Sequence, residues 1–444
     1  MIIQEKFNQK NLYAYVCYFF FVVLSLLVNS YIGNNNSFFH KFLFIGILLF
    51  LIYCLANALY RKNSTYVIFF GFILSYCLPY YYAVFKGLYI SFHHQQNQFY
   101  FLTKNILLYL LFLLPFCLYL DKILNNYISI TYRDNCIIFY ALIPVFLFCW
   151  MRGLQGESIL KSLTYSSGDI EKSSLYEYAL IILFLLLKYS GKKKIRLFIF
   201  FVCSFLYIVK DLLFGGRIEC IMLILMIYIL FLKEKISFKS FLLFGFLGIY
   251  ILKVIEQVRY NIMVVVNGNI LDILNPFSTS EQSSYLSSNA GDVFWAGERL
   301  LHLMKEGYLT NSARLEAGVK FFMAPFISIG KLGELGNIST YKRDIYTTGG
   351  GGLVSSFFYT FYSYFGVIVF SFFISKILSL KTKKEYVSVY QIFILITLPR
   401  WFAYYPIQLI KMDLIAVLFV YILNKIDYLS KYIIKGEKNE KDFN

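Results

Sequence analysis

Residues 175–235 read LYEYALIILFLLLKYSGKKKIRLFIFFVCSFLYIVKDLLFGGRIECIMLILMIYILFLKEK. Three apolar runs, near 175–190, 196–214 and 217–233, are parted first by the cluster Lys192, Lys193, Lys194 and Arg196. The second divider is Phe214-Gly215-Gly216-Arg217. A bilayer-spanning helix needs about 20 mainly apolar residues. Long apolar runs joined by short cationic turns are the pattern of a polytopic α-helical membrane protein. The rest of the chain agrees. Its 444 residues are 59% hydrophobic, 20% aromatic and 15% charged, with mean hydropathy +0.62. Soluble domains run nearer a quarter charged, and too few polar residues are present to cover two or three of them. A disordered chain, a disulfide scaffold and a single-anchor enzyme are excluded on the same ground.

The net charge of +17 does not indicate nucleic acid. The basic residues sit in short clusters between apolar runs, as at Lys381, Lys383 and Lys384. The eight cysteines form no CxxC and the four histidines (40, 93, 94, 302) no HxxxH, so no metal site and no cofactor is expected.

Twelve spans are expected, near 12–32, 41–60, 65–85, 102–120, 135–151, 175–190, 196–214, 217–233, 239–258, 353–376, 386–403 and 411–430. They divide the chain into an N-terminal membrane bundle (1–258), a large outer segment (259–352), three C-terminal membrane helices (353–430) and a charged tail (431–444). Counted over alternate sides, 23 Lys and Arg fall with the two termini and 19 on the other side, 9 of them at the outer end of the ninth run (Lys253) and in the long segment after it. Long translocated segments escape the charge rule. Both termini are therefore expected in the cytoplasm and 259–352 outside. Ordinary connections are far shorter, so function is expected in that segment.

The split by residue type is sharper. The cytoplasmic side holds 20 Lys and 3 Arg. The outer side holds Arg152, Arg217, Arg259, Arg299, Arg314, Arg343 and Arg400. Arginine's planar fork grips phosphate through two bonds at once. The plainer alternative is pairing with outer carboxylates or lipid headgroups. Two outward helix starts are rich in glycine: Gly215-Gly216 before the 217–233 run, and Gly349-Gly350-Gly351-Gly352 before the 353–376 run. Helix N-termini present unpaired N–H groups, and glycine lets backbone approach an anion closely. Simple turns or hinges are the alternative. Neither stretch is a nucleotide P-loop. Charges also enter the apolar runs at Lys210, Asp211, Glu219, Lys253, Glu256, Arg259, Arg400 and Asp413. Such residues face a protein interior or a wet cavity; a structural ion-pair network is the other reading. Within 295–305, Glu298 and His302 are four apart on one helix face, a spacing at which a carboxylate orients an imidazole as general base. A surface histidine without a catalytic role is the alternative. Asp292 and Asp344 are the next candidate bases.

The stretch Thr347–Phe370, TTGGGGLVSSFFYTFYSYFGVIVF, resembles the glycine-rich helix start, Ser pair and YxxFG of the bacterial oligosaccharide repeat-unit polymerases, the Wzy family. Phe214–Glu219, FGGRIE, resembles that family's Gly/Ser-Arg turn. Helix number, size and one large late outer loop are similar too. The family commonly has a glutamate in the helix after the glycines; this chain has Tyr359 and Tyr362. The resemblance implies an all-α, GT-C-like glycosyltransferase of the bacterial cytoplasmic membrane, independent of metal. Its substrates would be oligosaccharide units on undecaprenyl pyrophosphate at the outer leaflet. The growing glycan would pass onto the incoming lipid-linked unit, for O-antigen or capsule. Membrane lipid and a chain-length regulator protein are the implied partners. A lipid-linked oligosaccharide flippase or other transporter is the runner-up. An O-antigen ligase and a non-enzymatic membrane scaffold are the remaining readings.

Overall fold

Nearly every apolar run becomes helix, because a chain without water to solvate its backbone must satisfy N–H and C=O within the segment. The computed structural model describes residues 15–27, 37–85, 98–156, 170–214, 216–260, 289–327, 329–346 and 351–441. In chain order the helices are α1 Tyr15–Leu27, α2 Ser37–Tyr60, α3 Ser64–Ser75, α4 Leu78–Phe85, α5 Gln98–Leu124, α6 Cys136–Gly153, α7 Ser174–Tyr189, α8 Lys194–Leu213, α9 Ile218–Ile227 and α10 Phe238–Tyr260. There follow α11 Asn289–Lys305, α12 Asn311–Met323, α13 Ile338–Ile345, α14 Val354–Ser379, α15 Glu385–Ile396, α16 Leu398–Ala403 and α17 Gln408–Lys441. One two-stranded ribbon pairs β1 Leu154–Gly156 antiparallel with β2 Ile170–Lys172, setting Leu154 opposite Lys172.

The twelve apolar runs do not become twelve uninterrupted spans. Among the described residues, four helices are long and apolar enough to cross a membrane by length and composition: Phe38–Tyr60, Phe101–Leu124, Cys136–Gly153 and Val354–Ser379. The 65–85 run breaks into α3 and α4, and Pro79 sits in the first turn of α4, where a missing N–H is tolerated. The 386–403 run breaks at Thr397, two residues before Pro399. The 217–233 run changes from α to a π turn over Tyr228–Leu232.

The surface of α2 identifies its solvent. Phe38, Phe42, Ile45, Leu49 and Ile52 are exposed along one helical stripe, while Leu43, Phe44, Ile47, Leu51 and Cys54 are buried on another. Helix α8 repeats this with exposed Ile195, Phe198, Val202 and Phe205. A helix apolar on both faces belongs in lipid. The chain is a membrane protein.

Two compact units interleave along the sequence: 1–127 with 279–381 and 398–410, and 128–278 with 382–397 and 411–444. In the first, α5 and α14 pack side by side. Ser356 Oγ donates to Asn105 Oδ1 (3.0 Å), and Ser371 Oγ donates to the Phe112 carbonyl. Asn126 Nδ2 reaches the Leu378 and Leu380 carbonyls at 2.8 and 3.1 Å. Such interhelical bonds and ring packing hold helices together where the hydrophobic effect is absent. Phe69, Phe112, Phe116, Trp401 and Phe402 form the ring cluster beneath. At one end of the unit Arg61 pairs with Asp121, which also accepts from Tyr15 OH at 3.0 Å.

The second unit has an ion-pair network among helix ends of its own. Arg133 pairs with Asp427 (3.0 Å), and buried Lys188 pairs with Glu385 and donates to the Thr131 carbonyl (3.0 Å). Asn424 joins Glu385 (2.7 Å) to Tyr189 OH (2.8 Å). In both units these bonds join helix ends that the charge count assigns to the same side.

Candidate functional site

Helix α11 carries the cluster richest in chemistry. Its buried side presents Val293, Phe294, Ala296, Leu300, Leu301 and Leu303 to the first unit. That leaves Arg299 and His302 half-buried at the margin, and Lys305 and Glu306 exposed. The His302 ring stacks on Phe101 of α5, centroids 3.7 Å apart at 23°. Its Nδ1 lies 3.4 Å from Glu306 Oε1, and Tyr346 OH donates to the other Glu306 oxygen. The Arg299 guanidinium lies 5.2 Å from the centre of the Tyr346 ring, which meets Tyr308 edge-on. Burial against Phe101 and the nearby Arg299 charge pull His302 from its ordinary 6.5 down to about 4, against the opposing pull of Glu306. Glu306 is held below the usual carboxylate range by its bonds from Tyr346 and His302, although burial works the other way. At neutral pH the cluster is a neutral imidazole on an ionised carboxylate. With Nδ1–H directed to Glu306, Nε2 is the free acceptor.

This corrects the expected partner of His302. Glu298 is buried (1% exposed), and the carboxylate that orients the imidazole is Glu306, four residues onward instead of four back. Glu306 and Tyr346 were not read from the sequence; the symmetric spacing about His302 was the available signal.

Lys342 was also missed. Fully buried in α13, its Nζ donates to the Gly351 carbonyl at 2.7 Å and the Ala296 carbonyl at 3.4 Å. Burial pulls it from 10.5 down to about 7; Asp292 opposes the shift and Arg343 adds to it. Asp292 is thereby a half-buried electrostatic partner of Lys342, while Arg343 and Asp344 are exposed on α13.

Of the four-glycine run, Gly349 and Gly350 lie outside the described residues. Gly351 and Gly352 are buried, and the Gly352 N–H donates to the Ala403 carbonyl (3.2 Å). Gly352 takes φ +152°, and a Cβ on Gly351 would stand 3.0 Å from that same carbonyl. At these two positions glycine serves close packing, and the Gly352 N–H points into the protein.

Arg314 also has a different task from the expected anion contact. Helix α14 breaks at Tyr362 (φ −134°, ψ 24°) and Ser363 (φ 58°, ψ −153°). The break leaves carbonyls of the preceding turn without their i+4 donors. Arg314 fills the place: Nε donates to Thr360 O (2.8 Å) and NH2 to Tyr359 O (2.9 Å), while NH1 reaches Asn311 Oδ1 (3.1 Å).

In the second unit, the start of α9 also differs from expectation. Asp211 Oδ2 accepts from the Cys220 N–H (3.2 Å), so the anion at this helix start is the chain's own. Gly216 permits it: a Cβ there would stand 2.1 Å from Asp211 Oδ1. Lys172, aimed by the ribbon, lies 2.6 Å from Glu219 and 4.0 Å from Asp211. Arg217 is buried at the N-cap of α9, and Gly215 lies outside the described residues. Arg152 is exposed in the last turn of α6, where a cation suits the helix dipole. Arg400 is half-buried, 5.7 Å from the Tyr404 ring centre, and the Arg259 side chain lies outside the described residues.

Of the expected residues, the structure therefore brings Arg299 and His302 into one cluster. Among known proteins, no family model, no curated protein and no solved structure matches this chain.

Proposed function

We propose that the chain is a repeat-unit polymerase of the bacterial cytoplasmic membrane. It would join undecaprenyl-pyrophosphate-linked oligosaccharides at the outer face, passing the growing glycan onto the incoming lipid-linked unit. The observation that carries this reading is the His302–Glu306–Tyr346 cluster beside Arg299. An oriented, neutral imidazole is what removal of a proton from an acceptor hydroxyl requires. A guanidinium nearby suits the departing lipid diphosphate. The two are coupled: Arg299 helps hold His302 at about 4, and an anion docked on Arg299 offsets that charge. His302 thus becomes a stronger base when the diphosphate is present. The Wzy-like motifs at 214–219 and 347–370 and the outer arginines support the same assignment. The side-matched pairing of helix ends supports the alternation behind the proposed topology, with both termini in the cytoplasm and 259–352 outside.

The interleaving of the units speaks against the runner-up, since many transporters divide into two related halves of the sequence. The test is a deletion strain with its surface glycan resolved on a gel. One repeat unit per lipid core is expected, and complementation with His302→Gln at normal protein abundance should leave it so. A complete absence of glycan would mark a flippase or ligase. A wild-type ladder from His302→Gln would remove the histidine from the chemistry.

A further inference from the structure

Helix α17 carries an acidic group that the proposed chemistry does not use. Asp413 is fully buried, 0% exposed, in the apolar part of the second unit. Among the described residues no Lys, Arg or His forms an ion pair with it, and its Oδ2 has no hydrogen-bond partner. Lys411, two residues away, directs its Nζ to Ser174 Oγ at 3.0 Å. The titratable neighbour facing Asp413 is Tyr390 of α15. The polar contact of its other oxygen, Oδ1, is Thr397 Oγ1 at 3.4 Å.

Proton counting decides what that contact is. A threonine hydroxyl has one proton and two lone pairs. Thr397 Oγ1 lies 2.6 Å from the Phe393 carbonyl, which can only accept. The hydroxyl proton is therefore spent there, and what Thr397 offers Asp413 is a lone pair. A carboxylate would oppose it acceptor to acceptor; a carboxylic acid donates to it. An ionised carboxylate buried without a counter-ion is also among the most costly arrangements a protein can hold, more so between membrane helices. The other deeply buried acids of this unit contrast with it. Asp427 has Arg133 and Asn135, while Asp211 and Glu219 share Lys172 and Asp211 has the Cys220 N–H as well.

We infer that Asp413 is a proton-binding site inside the membrane bundle, occupied at neutral pH, and that this acid is the chain's site of modification by apolar carbodiimides. In that reaction the acid O–H adds across one C=N bond of the reagent. The carboxyl oxygen bonds to the central carbon, the proton passes to nitrogen, and the acyl group then migrates from oxygen to nitrogen with nothing lost. Only the protonated acid supplies the required proton, and only an apolar reagent enters the bundle.

The full-length protein in lipid vesicles at pH 7 is treated with dicyclohexylcarbodiimide and mapped by mass spectrometry. The infrared carbonyl band of a protonated carboxyl is recorded for the wild type and for Asp413→Asn. The asparagine variant has the shape of the neutral acid and should reach wild-type abundance and melting temperature. Expected are an adduct at Asp413, its loss in Asp413→Asn, and a carboxylic-acid band that vanishes in the variant. The band alone sustains the proton site and overturns its reactivity. Absence of both band and adduct overturns the inference entirely, as does a wild-type band unchanged in Asp413→Asn.

Discussion

Arg314→Ala separates a structural arginine from a substrate-binding one. The side chain donates to Thr360 O at 2.8 Å and Tyr359 O at 2.9 Å, the two carbonyls orphaned by the break at Tyr362 and Ser363. A hydrogen bond from a charged donor contributes about 1.5–3 kcal/mol net. Arg314 is only half-buried, and water can reach part of what it leaves, so the low end applies to each bond. The loss should be about 2–4 kcal/mol. Arg314→Lys keeps the charge but presents a point donor in place of a fork, so it should lose roughly half as much. Unfolding of the detergent-solubilised protein, followed by tryptophan fluorescence during titration with a denaturing detergent, measures both. Polymer length is then read at matched membrane abundance, where both variants should make a normal ladder. If Arg314→Ala unfolds within about 0.5 kcal/mol of wild type yet makes no polymer, the capping argument fails and Arg314 contacts substrate.

Three further outcomes follow from the geometry. Gly216→Ala puts a Cβ 2.1 Å from Asp211 Oδ1, so the carboxylate must leave the Cys220 N–H; a loss of about 1–3 kcal/mol in the same unfolding assay is expected, and a wild-type curve would show that the close approach is dispensable. Lys342 has a folded value of about 7 against its ordinary 10.5. Its depressed value makes stability highest above pH 10.5 and lowers it as pH falls to 7, by on the order of 5 kcal/mol; Lys342→Met should flatten the pH dependence of unfolding across that window, and an unchanged slope would refute the assignment. A cysteine replacing Ser312 on a cysteine-free background should react with an impermeant maleimide in intact cells or spheroplasts, and one replacing Ser237 should not; the reverse pattern would turn the proposed orientation over.

What could be read from the sequence was periodicity and composition. The exposed and buried stripes of α2 follow from a run apolar all round, and the membrane assignment with them. Interruptions were harder to see. Pro79 and Pro399 stand inside runs whose mean hydropathy hides the break, and Ser363 in the left-handed region has no signal in YTFYSYFG beyond the glycine that follows. Gly366 belongs to that break: a Cβ there would stand 2.4 Å from the Phe358 carbonyl.

The candidate site shows why spacing alone stops short. His302 has a glutamate four residues away on either side, and helical geometry puts both on its face. Burial chooses between them, and burial is a property of the packed bundle. Phe294 and Leu301 carry Glu298 into the interior, whereas Glu306 stands one turn past the apolar stripe, where Tyr346 returns from α13 to meet it. The same holds for the glycines. A glycine announces that something comes close but not what it is. At Gly216 it is the Asp211 carboxylate, and at Gly351 the Ala403 carbonyl. Anion-binding geometry at a helix start is therefore satisfied from within at α9, so a diphosphate there would have to displace Asp211. At Arg299 no carboxylate stands within ion-pair distance among the described residues; its neighbours are the face of Tyr346 and the charge of Glu306, whose oxygens are already engaged by Tyr346 and His302. The arginine best placed for substrate is thus the one beside the histidine, and Arg299→Lys should shorten the glycan ladder more than Arg217→Lys at equal abundance. Equal shortening would show that the fork matters as much at Arg217 as at Arg299 and would overturn the preference for Arg299, whereas an unchanged ladder in both variants would show that positive charge alone suffices.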